Sequence, residues 1–185
     1  NILSDDFILG LMTPLTVNQH DGCAALVLNG ETLSCCEEER YIRYKHAVGN
    51  LPINAISAAL KYKNLTIKDI KAIFISSVAH SDLQNRVKLY LEHYFGYSPT
   101  IYTVDHQIAH LASAFYPSGF ENSMLLSVDG YGDFKSMACG IGNKDKISVF
   151  ETKDLTQSLG IFYQTLTQFI GFSSMGDEYK LMGLS

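Results

Sequence analysis

This sequence has no excess of positive charge: 14 Lys and Arg residues stand against 19 Asp and Glu, for a formal net charge of −5. Its cations do not cluster either, so the electrostatic footprint of a nucleic-acid-binding protein is missing. No apolar run approaches the roughly 18 residues that would argue for a membrane span. The start also lacks the basic segment and apolar block of a secretory signal. The four cysteines form no disulfide framework, because Cys35 and Cys36 are adjacent while Cys23 and Cys139 sit inside apolar runs. They read as small buried hydrophobes in a reducing compartment, which makes the cytoplasm the expected location. An initiator Met is missing, and the chain stops at Lys180-Leu181-Met182-Gly183-Leu184-Ser185 in mid-pattern. Both ends therefore read as fragment boundaries.

The residues present give an ordinary globular balance, 46% hydrophobic and 18% charged, in a chain long enough for one domain or two small lobes. Three short strands open it: Phe7 to Met12, Cys23 to Leu28 and Thr32 to Cys36, with Asn29-Gly30 as a hairpin turn between the last two. Glu37-Glu38-Glu39-Arg40 is too short a charge run to be a tail, and a polar loop follows from Arg40 to Asn50. From Pro52 the apolar period becomes helical, through Ile53, Ile56, Ala59 and Leu60. Ile70 to Ser76 has the make-up of a buried strand, and a helix carrying Val87, Leu91 and Tyr94 closes at Gly96. Thr100 to Val104 is a further strand, and His106 to Tyr116 a helix that Asp105 is placed to cap.

The order to residue 120 is thus β-β-β-α-β-α-β-α, which predicts an α/β fold with a mixed sheet and helices on its faces. This is the order of the ribonuclease-H-like lobe shared by actin, sugar kinases and Hsp70. The pattern then restarts with strands at Ser123–Val128, Phe134–Ile141 and Ile147–Glu151, and a helix from Leu159 to about Ile170 with Phe162, Leu166 and Phe169 on its apolar side. A second β-β-β-α reads as the beginning of a twin lobe, giving a first lobe over 1–120 and a truncated second over 121–185.

Four constellations carry chemical potential. His106 and His110 stand four apart on a helix, so both imidazoles project from one face as half of a metal site. The competing reading is a pair of hydrogen-bonded structural histidines, and no third ligand is evident. Asp129, Gly130, Gly132 and Asp133 form a D-G-x-G-D turn that suits a phosphate, a metal or sugar hydroxyls, or turn geometry alone. His20-Asp21-Gly22 precedes the second strand, with Lys45 and His46 in the polar loop: a general base, its orienter and an anion clamp, or simply solvated turns. Arg40 and Arg43 add charge suited to an anion such as a phosphate. Gly176-Asp177-Glu178-Tyr179-Lys180 near the end has no chemistry from first principles and reads as a structural cap.

Taken in order, ILGLM…HDGCAALVLNGE, EEERYIRYKH, VDHQIAHLASAFYPSGF, LLSVDGYGD and GDEYKLMGL resemble the O-carbamoyltransferase family, with its nodulation-factor and antibiotic-tailoring members. The resemblance implies two actin-like lobes and a separate C-terminal domain, absent here, that makes carbamoyl-adenylate from carbamoyl phosphate and ATP. The actin-like part then passes the carbamoyl group to a hydroxyl of a small-molecule acceptor. It further implies that His106 and His110 bind iron or a similar divalent ion, whose third ligand is an aspartate beyond this chain. Asp129, Gly130, Gly132 and Asp133 would line the adenylate side. His20, as base, and Lys45 would sit near the transferred group, with Asp21, Gly22 and Arg43 on the substrate side. Two departures stand out: the segment from Thr13 to Gln19 is longer than the pattern, and Tyr179 replaces a common glycine. The alternatives are an actin-like sugar kinase or ATPase, in which the H-Q-I-A-H helix has no role, and a non-catalytic nucleotide- or metal-binding module.

Overall fold

The computed structural model describes residues 6–15, 19–173 and 176–185. Thr16, Val17 and Asn18 of the irregular segment before His20, and Met175 before the final motif, lie outside the described residues. The chain divides into two compact units, Asn1–Val104 and Asp105–Ser185.

In the first unit, β1 (Phe7–Met12), β2 (Cys23–Leu28) and β3 (Glu31–Glu37) form the expected antiparallel trio. Asn29 and Gly30 both adopt positive φ, 54° and 77°, as the two-residue hairpin turn demands. The expected loop after β3 begins instead as α1 (Glu38–Ile42), followed by a single 3-10 turn at Lys45–Ala47. Next come α2 (Ile53–Lys61), β4 (Ile70–Ile75), α3 (Leu83–Phe95) and β5 (Thr100–Thr103). β4 pairs in parallel with both β1 and β5, so the sheet runs β3-β2-β1-β4-β5 and is mixed, as the order of elements predicted. Leu9, Leu26 and Ile73 lie side by side in register, as do Leu11, Ala24 and Ile75, and all are buried with Ile56 of α2 and Val87 and Leu91 of α3. That shared apolar face is the core of the unit.

The acidic run after β3 is built inward. Glu38 is 2% exposed, and its carboxylate accepts from Asn54 Nδ2 at 2.6 Å and from the backbone N–H of Ala55 at 2.8 Å. The residue at the head of α2, Pro52, has no side chain able to cap it, so Glu38 supplies the acceptor from outside the helix. All four thiols are free, but the expected burial fails: Cys35 is exposed and the other three are only partly covered. Cys35 and Cys36 lie on β3, the edge strand of the sheet, where packing covers least.

The second unit opens with α4 (His106–Phe115), continues through β6 (Asn122–Gly132), β7 (Lys135–Asn143) and β8 (Lys146–Asp154), and ends with α5 (Leu159–Phe169) and α6 (Glu178–Met182). The strands make an antiparallel β6-β7-β8 sheet. Leu111 and Phe115 of α4 pack on Leu125, Ala138, Ile147 and Val149 from one face. Met124, Leu126 and Val128, on the opposite face of β6, are exposed. The apolar side expected for α5 is likewise exposed, Phe169 to 86%, while Thr167 is buried. Among the described residues no element covers that side. No helix of the described residues is long and apolar enough to cross a membrane.

The role of Glu38 can be measured. Glu38→Ala should destabilise the protein by about 2 kcal/mol, since it strips a buried cap and strands the Ala55 N–H. Urea unfolding would show it as a lowered midpoint, and an unchanged midpoint would mean the cap contributes nothing.

Candidate functional site

The helix that carries the histidine pair is fixed at its first turn. Asp105 Oδ1 accepts from the backbone N–H groups of Gln107 at 3.0 Å and Ile108 at 3.1 Å, the capping expected from sequence. Its other oxygen accepts from Lys135 Nζ at 2.6 Å, which ties the helix start to β7. Burial alone would raise the Asp105 carboxyl, but the Lys135 ammonium and the two N–H groups outweigh it and hold the group below its ordinary range. Gln107, fully inside, donates to the Lys135 carbonyl at 3.2 Å and accepts from Ser127 Oγ at 2.6 Å. The first turn of α4 is therefore locked to both β6 and β7.

With the helix so placed, the two imidazoles meet a carboxylate. His106 Nε2 lies 3.0 Å from His110 Nε2 and 3.0 Å from Asp129 Oδ2, and His110 Nε2 lies 3.4 Å from the same oxygen. Hydrogen bonds from His106 first, then His110, hold the Asp129 carboxyl well below the usual carboxylate range despite its partial burial, and the Gly130 N–H adds to them. One ring N–H cannot serve both a second imidazole and a carboxylate from the same nitrogen. Two His and one carboxylate converging in this way fit a divalent cation better than they fit a hydrogen-bond chain.

The turn that delivers Asp129 differs from expectation. β6 does not stop at Val128 but runs on to Gly132, and the reversal falls at Asp133-Phe134, with φ of 49° and 65°. Val128 pairs with Met137 and Gly132 with Lys135, so β6 carries extra residues between them and bulges. The bulge aims Asp129 at α4. Gly132 is there because His106 needs the space: a Cβ on it would sit 2.1 Å from the ring. Asp133 Oδ2 accepts from the His106 backbone N–H at 2.9 Å, and Ser158, at the head of α5, donates to the Gly130 carbonyl at 2.6 Å. Of the four turn residues, Asp129, Gly132 and Asp133 thus touch His106 directly, and Gly130 anchors α5.

The first unit holds a second cluster. His20 Nδ1 lies 2.5 Å from Asp21 Oδ2, and His46 Nδ1 lies 3.1 Å from Asp21 Oδ1. These three also have the spacing of a metal-ligand group. Gly22, buried, accepts the Glu38 N–H through its carbonyl. Lys45 is exposed beside His46 in the 3-10 turn, and Arg43 is exposed at the end of α1. Arg40 is occupied by its own run, bonding Glu37 at 2.8 Å and lying 3.4 Å from Glu39, so the charge it offers an anion is already partly neutralised.

A family model described as carbamoyltransferase N-terminus matches residues 95–185, the stretch that contains the His–His–Asp cluster. Those residues belong to that family. Nodulation protein NolNO of Sinorhizobium fredii is 34% identical over 188 residues, covering 90% of this chain and 27% of the relative. Nodulation protein NolO of Bradyrhizobium diazoefficiens is 39% identical over 82 residues, 44% of this chain and 15% of the relative. The chain thus spans about a quarter to a third of the length of the relatives that match most of it, among them an uncharacterized Synechocystis protein at 33%. Among solved structures, YeaZ from Pseudomonas aeruginosa aligns with a TM-score of 0.47 at 15% identity, covering 79% of this chain and 64% of that one. The ROK hexokinase of Thermus thermophilus aligns at 0.43 and 16%, covering 79% and 49%.

In this carbamoyltransferase N-terminal region, sequence reasoning missed Asp129 as the group facing both histidines, because the bulge that turns it has no local signature. It also missed Gln107, Lys135 and Ser158, whose partners are distant in sequence. In the first unit it missed the bond of His46 to Asp21. Two outcomes follow. Gly132→Ala should push the His106 ring aside and weaken Zn²⁺ or Fe²⁺ binding by roughly 10-fold or more in titration calorimetry; unchanged affinity would remove His106 from the set. Asp105 and Asp129 both have folded-state values below the unfolded value of about 3.9. Their stabilisation is therefore complete above that pH and lost as pH falls below it. Thermal midpoints across the acid range should drop steeply for the wild type and less for Asp105→Asn/Asp129→Asn.

Proposed function

We propose that this chain is part of an ATP-dependent O-carbamoyltransferase, with residues 1–120 as its first actin-like lobe and 121–185 as the beginning of the second. The observation that carries the reading is the convergence of His106, His110 and Asp129 inside the region matched by the family. In the family pattern, carbamoyl phosphate and ATP give carbamoyl-adenylate in a further domain, and the carbamoyl group then passes to a small-molecule hydroxyl. His106, His110 and Asp129 would hold a divalent ion, iron in the family pattern. Such an ion supplies positive charge to a carbonyl or phosphate oxygen when bound.

The remaining work falls to side chains. His20 takes the proton of the acceptor hydroxyl as its oxygen bonds to the carbamoyl carbon, and the bond from that carbon to the adenylate oxygen breaks to release AMP. Asp21 accepts from the other ring nitrogen of His20 and so orients it, the arrangement that makes a histidine an effective base. Lys45 and Arg43, both exposed cations in the segment leading to His46, suit an anionic donor. Asp133 and the Gly130–Gly132 backbone suit the adenylate side.

The test uses the full-length protein. It should hold a stoichiometric divalent metal and consume carbamoyl phosphate only with ATP. His106→Ala/His110→Ala should lose both metal and transfer, and Asp129→Ala should lose most of the metal. A metal-free wild type that matches the double variant would overturn the reading and favour an actin-like kinase.

A further inference from the structure

His46 belongs to no role assigned so far, yet the structure spends much of the loop after β3 on placing it. Its backbone is left-handed, φ 63°, as is that of Asp21, φ 60°. The Asp21 N–H donates to the His46 carbonyl at 2.6 Å, the His46 N–H donates to Glu39 Oε2 at 2.7 Å, and the Gly49 N–H donates to the Gln19 carbonyl at 3.0 Å. Residues 19–21 and 46–49 are therefore stitched together by backbone, independently of the side-chain cluster they carry. Glu38, clamped under α2, roots the loop, and its N–H bonds the Gly22 carbonyl at 2.8 Å.

The side chains then sort themselves by chemistry. Among the described residues His46 Nε2 is buried with no hydrogen-bond partner, whereas Nδ1 lies 3.1 Å from Asp21 Oδ1. A buried ring N–H without an acceptor costs more than a buried lone pair. The proton of His46 accordingly sits on Nδ1, and His46 is the donor. His20 donates from its own Nδ1 to the other oxygen, Oδ2. One carboxylate thus accepts from two imidazoles, one per oxygen. With its two oxygens divided in this way, Asp21 is held against rotation and can take only the Nδ1 proton of His20. The Nε2 of His20 is left with its lone pair.

We propose that His46 is a positioning residue for the transfer reaction: by occupying Oδ1 of Asp21 it fixes the carboxylate that sets the tautomer and angle of the base His20. The inference rests on the reading of His20 as base. It does not require His46 to touch substrate.

Two substitutions suit the left-handed backbone at this position. His46→Gly removes the donor without steric penalty, and His46→Asn keeps an N–H donor where Nδ1 stands. In the full-length protein, His46→Gly should lower kcat for carbamoyl transfer roughly 10- to 100-fold with KM for carbamoyl phosphate little changed, and His46→Asn should recover most of it. In an Asp21→Gly background, His46→Gly should add no further loss, because the group it acts through is gone. Wild-type kcat in His46→Gly, an Asn variant as impaired as the Gly variant, or losses that multiply in the Asp21→Gly background would each overturn the proposal. A lowered thermal midpoint with kcat intact would make His46 purely structural and overturn it too. Failure of the underlying reading looks different: His20→Ala would then retain transfer whatever is done to His46.

Discussion

The carboxylate of Asp105 accepts from two backbone N–H groups of α4 and from the ammonium of Lys135. Through the first pair it starts the helix, and through the third it fastens that start to β7. Both imidazoles of the candidate metal centre project from this helix, at its first and fifth residues, so their positions inherit the precision of the cap. A shift of the helix by even a fraction of a turn would carry His110 away from Asp129. Gln107, between them in sequence and fully buried, fills the interior side of the same turn with bonds to Ser127 and Lys135. The candidate centre is held in place because its two imidazoles stand on a helix whose first turn is bonded to a sheet.

The first unit reaches a comparable result by another route. Its chemistry lies on irregular backbone, which has no ladder of its own to hold it. The acidic run Glu37-Glu38-Glu39 substitutes for that ladder. Glu38 is driven under α2 and supplies the cap that Pro52 lacks, Glu39 holds the His46 N–H, and Glu37 binds Arg40. Glu38 and Glu39, which look like part of a solvated patch in one dimension, are ties in three, while the Glu37–Arg40 pair stays exposed. Burying a carboxylate is tolerated at Glu38 because it accepts from both Asn54 and Ala55.

The strands of the first sheet were legible as short, mostly apolar runs bounded by turn residues, and the Asn29-Gly30 turn because it requires positive φ at both residues. The cap at Asp105 was legible because capping is a contact within three residues. Errors came where a partner lay far along the chain. β6 outran its expected end at Val128 because pairing with β7 continues through a bulge, and the turn reading left open whether Asp129 meets a phosphate, a metal or sugar hydroxyls. The apolar side of α5 was legible, but periodicity records only that a helix has an apolar face, not whether anything described lies against it. The thiols on β3 were read as buried from their apolar neighbours, but edge position governs exposure.

By itself the sequence determined the α/β class, the order of elements and the two histidines that share a helix face, because each of these is set by interactions within a few residues. It also carried the family motifs, which are patterns of residues in order. Only the tertiary structure decided that Asp129 completes the pair, that Gly132 exists to admit the His106 ring, and that His46 and His20 share one carboxylate. Apart from the bond between neighbours His20 and Asp21, those contacts join residues more than twenty positions apart, and their energies depend on angstrom-scale approach that no local pattern encodes.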